Sequence, residues 1–326
     1  MRRLPFRVAG TIAATALALS ACSSGDGGGQ DTDEGTIRVV ASTNVYGNIL
    51  ESVGGKYVSV ESIINRPSQD PHSYEATARD KLAVSGAGLI VLNGGGYDSF
   101  MEVLVEDEGV PSEDVLNAVE ISGLEDGSDH THGSENAETG SGSADAHDGH
   151  SHGGFNEHVW YDPSAMALLA EAAAERLAEL DPANEAAFRG NAAAFSDGIA
   201  ELETRVEALR APGGDRDVAM TEPVPEYLLE DAGLHNVTPA DFTEAVEEGS
   251  DVPPAVLKQM QDLVASGDIA FLAYNDQTST SQTEAVRAAA EDAGVPVLDF
   301  SETLPEGQDY LGWMNSNVDA LEGVLK

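Results

Sequence analysis

The chain has 326 residues and carries 58 acidic against 16 basic side chains, a formal net charge of -42. A field of that sign repels phosphate backbones and anionic membrane surfaces, which excludes nucleic acid as a partner. One cysteine excludes an internal disulfide, and the length allows one large or two medium domains with real cores.

Arg2, Arg3 and Arg7 are followed by an apolar run from Val8 to Leu19. The run is too short for a membrane span of ~20 helical residues, and a basic start before a short apolar core is the form of a secretory signal peptide. It closes on Leu19-Ser20-Ala21-Cys22, the pattern of a lipobox, whose cysteine is acylated and becomes the first mature residue. Residues 1–21 are therefore read as a lipoprotein signal peptide and Cys22 as the lipidation site. The alternative for Cys22 is a free or intermolecular thiol. Residues 22–34, rich in Ser, Gly and Asp, read as a flexible tether. The folded part is then extracytoplasmic and held to the cell membrane by lipid.

Beyond the tether, apolar runs at 36–42, 58–64, 89–93, 218–222, 269–274 and 295–300 are each followed by polar or Gly-rich punctuation. Runs of this kind are buried parallel strands feeding βα loops, and an α/β architecture follows. A helix is expected over 164–180, and a second begins at Asp181-Pro182, a good pair for a helix start. In the second, Phe188, Ala192, Phe195, Ile199, Leu202, Val206 and Leu209 alternate spacings of four and three, one apolar stripe stopped by Pro212-Gly213-Gly214. Gly190, Gly198 and the alanine-rich turns favour packing along its own protein over a coiled-coil dimer, and a monomer is expected.

Between Gly123 and Gly154 the pattern gives way to Gly, Ser, Asp and His. Such a tract buries too little apolar surface to fold alone, so about 124–154 is expected as a disordered loop. Five of the eight histidines lie here: His130, His132, His147, His150 and His152. Imidazoles spaced this closely and interleaved with Asp129, Asp145 and Asp148 make a weak multidentate trap for zinc, copper or nickel. A solvated low-complexity loop is the plainer alternative. The other three histidines stand apart. His72 sits in Asp70-Pro71-His72 after the run at 58–64, and His158 in His158-Val159-Trp160-Tyr161-Asp162-Pro163 before a helix. Both are in loops, where function concentrates. His235 follows Gly233-Leu234 between a helix end and a strand and reads as ordinary.

These segments resemble the zinc- and manganese-binding solute receptors of ABC importers, the cluster A-I metal-binding lipoproteins. The resemblance runs from Val39-Val40-Ala41-Ser42-Thr43-Asn44 through Asp70-Pro71-His72, Asn93-Gly94-Gly95 and His158-Val159-Trp160 to the final helix. It implies two α/β lobes with parallel sheets, bridged by one long rigid helix, with the metal in the cleft between them. The lobes would then be residues 35–180 and 212–326, with 181–211 as the bridge. By position the resemblance implies His72, His158, Glu222 and Asp299 as metal ligands, with Glu226, Asp276 and Glu302 as substitutes for the carboxylates. Glu75 and Glu157 are the expected acceptors for the second ring nitrogens.

Two imidazoles and two carboxylates neutralise a divalent cation, and a closed ligand set without an open water position suits capture rather than turnover. No enzymatic activity is expected; a secreted zinc hydrolase is the competing reading, but His-Glu-x-x-His is missing from the sequence. The partners implied are the permease of an ABC importer and a divalent metal as cargo. An oxygen-rich set argues for Mn2+, whereas the histidine tract and the stability order of divalent ions argue for Zn2+. Zinc is the expected cargo, with manganese the alternative.

Overall fold

The computed structural model describes residues 35–127, 155–210 and 216–325. The signal segment, Cys22, the tether and His130, His132, His147, His150 and His152 lie outside the described residues. Two four-stranded sheets, parallel throughout, form the frame. In the first lobe β1 (Ile37–Thr43), α1 (Asn44–Gly54), β2 (Val58–Ile64), α2 (Ala78–Ser85), β3 (Leu89–Leu92), α3 (Ser99–Glu108), β4 (Val115–Asn117) and α4 (Ala118–Ser122) alternate, and the single turn α5 (Leu124–Gly127) follows. Then come α6 (Pro163–Leu180) and the long α7 (Glu185–Glu207). The second lobe contains β5 (Arg216–Met220), α8 (Glu226–Asp231), β6 (Leu234–Asn236), α9 (Ala240–Glu247), α10 (Pro254–Ser266), β7 (Leu272–Asn275), α11 (Ser281–Ala293), β8 (Val297–Phe300) and α12 (Tyr310–Leu325).

Strand order is β2-β1-β3-β4 in one sheet and β6-β5-β7-β8 in the other. Each lobe therefore changes winding direction beside its first strand, and in open parallel sheets the crevice outside the carboxyl ends at such a switch is where ligands bind. The strands alternate their allegiance residue by residue. Val39 and Ala41 of β1, Leu89 and Val91 of β3, Val218 and Met220 of β5 and Ala273 of β7 face one continuous core that also takes in α1, α6, α7 and α12. Val40, Ile90 and Leu92 face a separate core behind the first sheet, and Ala219, Leu272 and Tyr274 another behind the second. Both lobes thus share their central core, as a period of two on a doubly covered sheet requires.

Helix α7 buries Phe188, Ala192, Phe195, Ile199, Leu202 and Val206, the stripe expected from the sequence. Its 23 residues rise roughly 34 Å, and a short 3-10 turn at Pro182–Asn184 leads into it. Leu209 lies past its end, only partly buried against the same core. Gly198 meets α12 closely enough that a Cβ there would stand 2.6 Å from Leu311 Cδ1, so this glycine serves packing within the chain. Arg205 fixes the same contact through Asn315 and Asp319, each at 2.5 Å. Strands β4 and β6, three residues each, fall outside the six expected runs, because three residues carry too little alternation to read.

After β3 the chain turns through Gly94, Gly95 and Gly96, all at positive φ (81°, 63° and 93°). Asp98, fully buried, ties this turn by accepting from the backbone N–H groups of Asn93 (2.7 Å) and Gly94 (2.9 Å). A Cβ on Gly94 would also lie 2.4 Å from Asn117 Oδ1. Gly94→Ala is expected to destabilise the metal-free protein by about 1–3 kcal/mol, measured by chemical denaturation. An unchanged midpoint would show that the turn relaxes freely.

Candidate metal centre

His72 lies in the turn after β2. Asp70 builds that turn, accepting from the His72 backbone N–H at 3.0 Å and from Ser73 Oγ at 2.7 Å. The His72 ring packs edge-on against Tyr97, centroid to centroid 4.9 Å, and its side chain keeps 23% exposure. His158, in contrast, is buried against Tyr97 and Trp160. Its loop is pinned by Asn93, whose buried amide donates to the Glu157 carbonyl at 3.0 Å and whose Oδ1 accepts from Tyr46 Oη.

The tautomer of His158 follows from its neighbour Asn156. Asn156 Nδ2 donates to the Pro223 carbonyl at 2.9 Å, so the opposite side of the amide is oxygen. That oxygen accepts from the His158 backbone N–H at 3.1 Å and sits 2.6 Å from Nδ1. An amide oxygen only accepts, so Nδ1 carries the hydrogen and Nε2 presents a lone pair. Burial, with the charge of His72 second, holds His158 well below the usual imidazole range, and its neutral form is the ligating one.

The second lobe brings carboxylates. Glu302, two residues beyond β8, is buried and accepts from Asn275 Nδ2 at 2.7 Å and from Tyr97 Oη at 3.1 Å. Gln277 Oε1 holds the segment by accepting from the backbone N–H groups of Glu302 (2.7 Å) and Thr303 (3.0 Å). Glu222, two residues beyond β5, is also buried and accepts from Thr278 Oγ1 at 2.6 Å and from Asn275 Nδ2. The single amide of Asn275 therefore bridges both acids. Burial first, and the neighbouring Glu302 second, push the Glu222 carboxyl up to about 8; Glu302 is raised too, chiefly by burial. One ligand atom from each of His72, His158 and Glu302 lies within 4.8 Å of the others. His72 of this group lines a cavity of about 670 Å³, together with Asp70, Glu157, Glu222, Glu247 and Thr278 among others.

Three of the expected residues, His72, His158 and Glu222, thus gather at the cleft, and Asp299 does not. Asp299 sits within β8 opposite Tyr274, on the outer side, where it accepts from Arg287 of α11 at 2.8 and 3.4 Å. Strand alternation explains the correction: the last in-strand carboxylate points away, and the chain turns its next one, Glu302, inward only after the strand has ended. Glu226 is engaged by Asn236 at 2.9 Å, and Asp276 is exposed. The expected acceptors differ as well. Asn156 serves His158, Glu75 is exposed, and Glu157 stands 3.8 Å from His72 Nε2, beyond hydrogen-bond length. Sequence reasoning misses Tyr97, Asn275 and Gln277, although Asn275 closes an apolar strand and Tyr97 follows a triple-glycine turn. His235 pairs with Asp217 at an exposed edge, as an ordinary residue would.

Two lobes of parallel strands with histidines from one and carboxylates from the other across a common cleft define a two-lobed ion receptor. Residues 39–324 match the model of the family described as zinc-uptake complex component A, periplasmic, and the chain belongs to that family. The manganese-binding lipoprotein MntA of Halalkalibacterium halodurans is 25% identical over 323 residues, covering 96% of each chain. The iron-binding protein YfeA of Yersinia pestis is 23% identical over 316 residues, 95% of this chain and 93% of the relative. The solved structure of the periplasmic zinc-binding protein TroA from Treponema pallidum superposes with a TM-score of 0.67 at 19% identity, covering 89% of this chain and 99% of that one.

The raised Glu222 carboxyl has a consequence for the metal-free fold. Its value is about 8 in the folded chain against 4.5 ordinarily, so the folded state holds a proton that the unfolded state releases first. Its contribution is fully present below pH 4.5 and is lost as pH rises toward 8. Chelator-treated wild type should therefore lose more Tm between about pH 5 and 8 than Glu222→Gln does. Parallel pH profiles would show that the carboxyl is not held this way.

Proposed function

We propose that this protein captures a divalent transition metal, zinc by preference, in the cleft between its lobes and delivers it to the permease of an ABC importer. The convergence of His72, His158 and Glu302 carries the reading, with Glu222 completing the set through Asn275. Two neutral imidazoles with two carboxylates balance a divalent ion, and in a buried site that balance is what makes occupancy favourable. The ion is cargo and no reaction is catalysed. The chain acts as a monomer outside the cytoplasmic membrane, held there by acylated Cys22.

The names of the relatives span manganese, iron and zinc, so the choice of metal rests on ligand chemistry. Zinc exceeds manganese at nearly any site containing imidazole. The tract bearing His130, His132, His147, His150 and His152 adds in the same direction, since imidazole suits zinc and carboxylate or water suits manganese. The manganese reading keeps one support, the oxygen contribution of Glu222 and Glu302.

His72→Ala, His158→Ala and Glu302→Gln should each weaken zinc binding by at least ~100-fold in competition titrations, while Asp299→Ala leaves it within about threefold, since an exposed ion pair contributes ~1 kcal/mol or less. Full affinity in His158→Ala would overturn the site. Cys22→Ala should release the protein from membranes with binding intact; retention of the variant there would overturn the anchor. In a strain lacking the protein, zinc should restore growth; restoration by manganese alone would reverse the order of metals.

A further inference from the structure

A second group of potential ligands shares His158 and otherwise differs from the centre formed with His72 and Glu302. One ligand atom each from Glu157, His158 and Glu247 lies within 4.8 Å of the others. Glu157 belongs to the first lobe and Glu247 ends α9 of the second, so this group also spans the cleft. Both acids line the cavity over the metal centre, together with Glu244 and Glu248.

Glu157 supplies an observation independent of that clustering. Its side chain is only 6% exposed, yet its carboxylate accepts no hydrogen bond among the described residues, and the nearest cationic candidate is His72 Nε2 at 3.8 Å. The rest of the side chain is packed away, and its carboxylate faces the cavity rather than a structural partner. Glu302, its counterpart in the inner group, has both oxygens satisfied. The bare group is therefore the outer one.

His158 decides how the two groups relate. Nδ1 is committed to Asn156, so Nε2 is the one nitrogen with a lone pair left to offer a metal in either group. One nitrogen lone pair holds one ion, and the two groups are successive positions for it rather than two sites filled together.

We propose that Glu157, Glu247 and His158 form a receiving position for a divalent transition cation, from which the ion passes to His72, His158 and Glu302. The transfer is a ligand exchange: the bonds from the metal to the Glu157 and Glu247 oxygens break, bonds to an imidazole nitrogen of His72 and to oxygens of Glu302 and Glu222 form, and the bond to His158 Nε2 persists. No electron is transferred. Carboxylates meet the hydrated ion first because they exchange readily with coordinated water, and the acidic cavity raises the local cation concentration. The inference rests on the proposed receptor function for its inner position.

Two measurements on the full chain test it. In stopped-flow binding of zinc, Glu247→Gln should slow association about tenfold, whereas Glu248→Gln, with the same charge change in the same cavity, should slow it less than about twofold. Equal slowing in the two variants would reduce the effect to the general field and overturn the proposal. In His72→Ala/Glu302→Gln, Mn2+ serves as probe because imidazole tracts bind it poorly. Loss of the free-ion EPR signal should report one weak equivalent, which disappears when Glu247→Gln is added. No equivalent in the double variant, or one indifferent to Glu247→Gln, would also overturn it. Failure of wild type to bind zinc tightly would instead strike the receptor reading, a separate result.

Discussion

Everything at the cleft depends on two buried carboxylates that share one amide donor. Glu222 and Glu302 are both buried, both joined to the Asn275 amide, and they face two imidazoles of which His158 is held neutral. Without a cation, burial forces these acids toward their protonated forms, as the value of about 8 for Glu222 expresses. A divalent ion held there, as proposed, would remove that penalty. On the proposed reading, part of the free energy of occupancy would come from relieving a site that is unfavourable when empty, in addition to the ligand bonds.

The fold tolerates such a site by placing it where backbone and sheet already end. In both lobes the contributing residues follow the carboxyl ends of strands: His72 after β2, Asn93 after β3, Glu222 after β5, Asn275 closing β7 and Glu302 after β8. The strands themselves are occupied by two-sided packing, with alternate residues in the shared and the private cores. The positions that face these cores are apolar, so the chemistry of the cleft accumulates in the loops beyond the strands. The fate of Asp299 shows the rule from the other side: inside the strand, its side chain is taken up by Arg287.

This is also why the fold is easier to read than the site. Long apolar runs such as 58–64 and the Phe188–Val206 stripe carry their periodicity openly, and the structure returns them as β2 and α7. The two histidines are legible because each stands in a distinctive loop segment. Carboxylates are not, in a chain with 58 acidic residues, since their number hides the few that are buried. Choosing Glu302 over Asp299 requires knowing on which residue the strand ends, and a boundary shift of one residue reverses the facing of a side chain. Asn275 and Asn156 act through hydrogen bonds between distant segments, which no local pattern encodes.

His158 shows how closely the lobes and the ligand geometry are tied. It belongs to the first lobe, yet the amide that fixes its tautomer donates to Pro223 of the second, and the Asn156 carbonyl accepts from Tyr227 Oη at 2.6 Å. Further links cross the same boundary. Asn44 exchanges two hydrogen bonds of 2.9 Å with the backbone of Leu304, Tyr310 Oη donates to the Trp160 carbonyl at 2.7 Å, and Tyr161 Oη to that of Ser301 at 2.8 Å. Each contributes about 0.5–1.5 kcal/mol, and they lie over a core common to both lobes. Any separation of the lobes breaks several of them together, including the bonds of Asn156 to Pro223 and Tyr227, and leaves the Asn156 oxygen held by His158 alone. The side chain that sets the His158 tautomer is thus itself braced across the cleft, because the same amide sits in both networks.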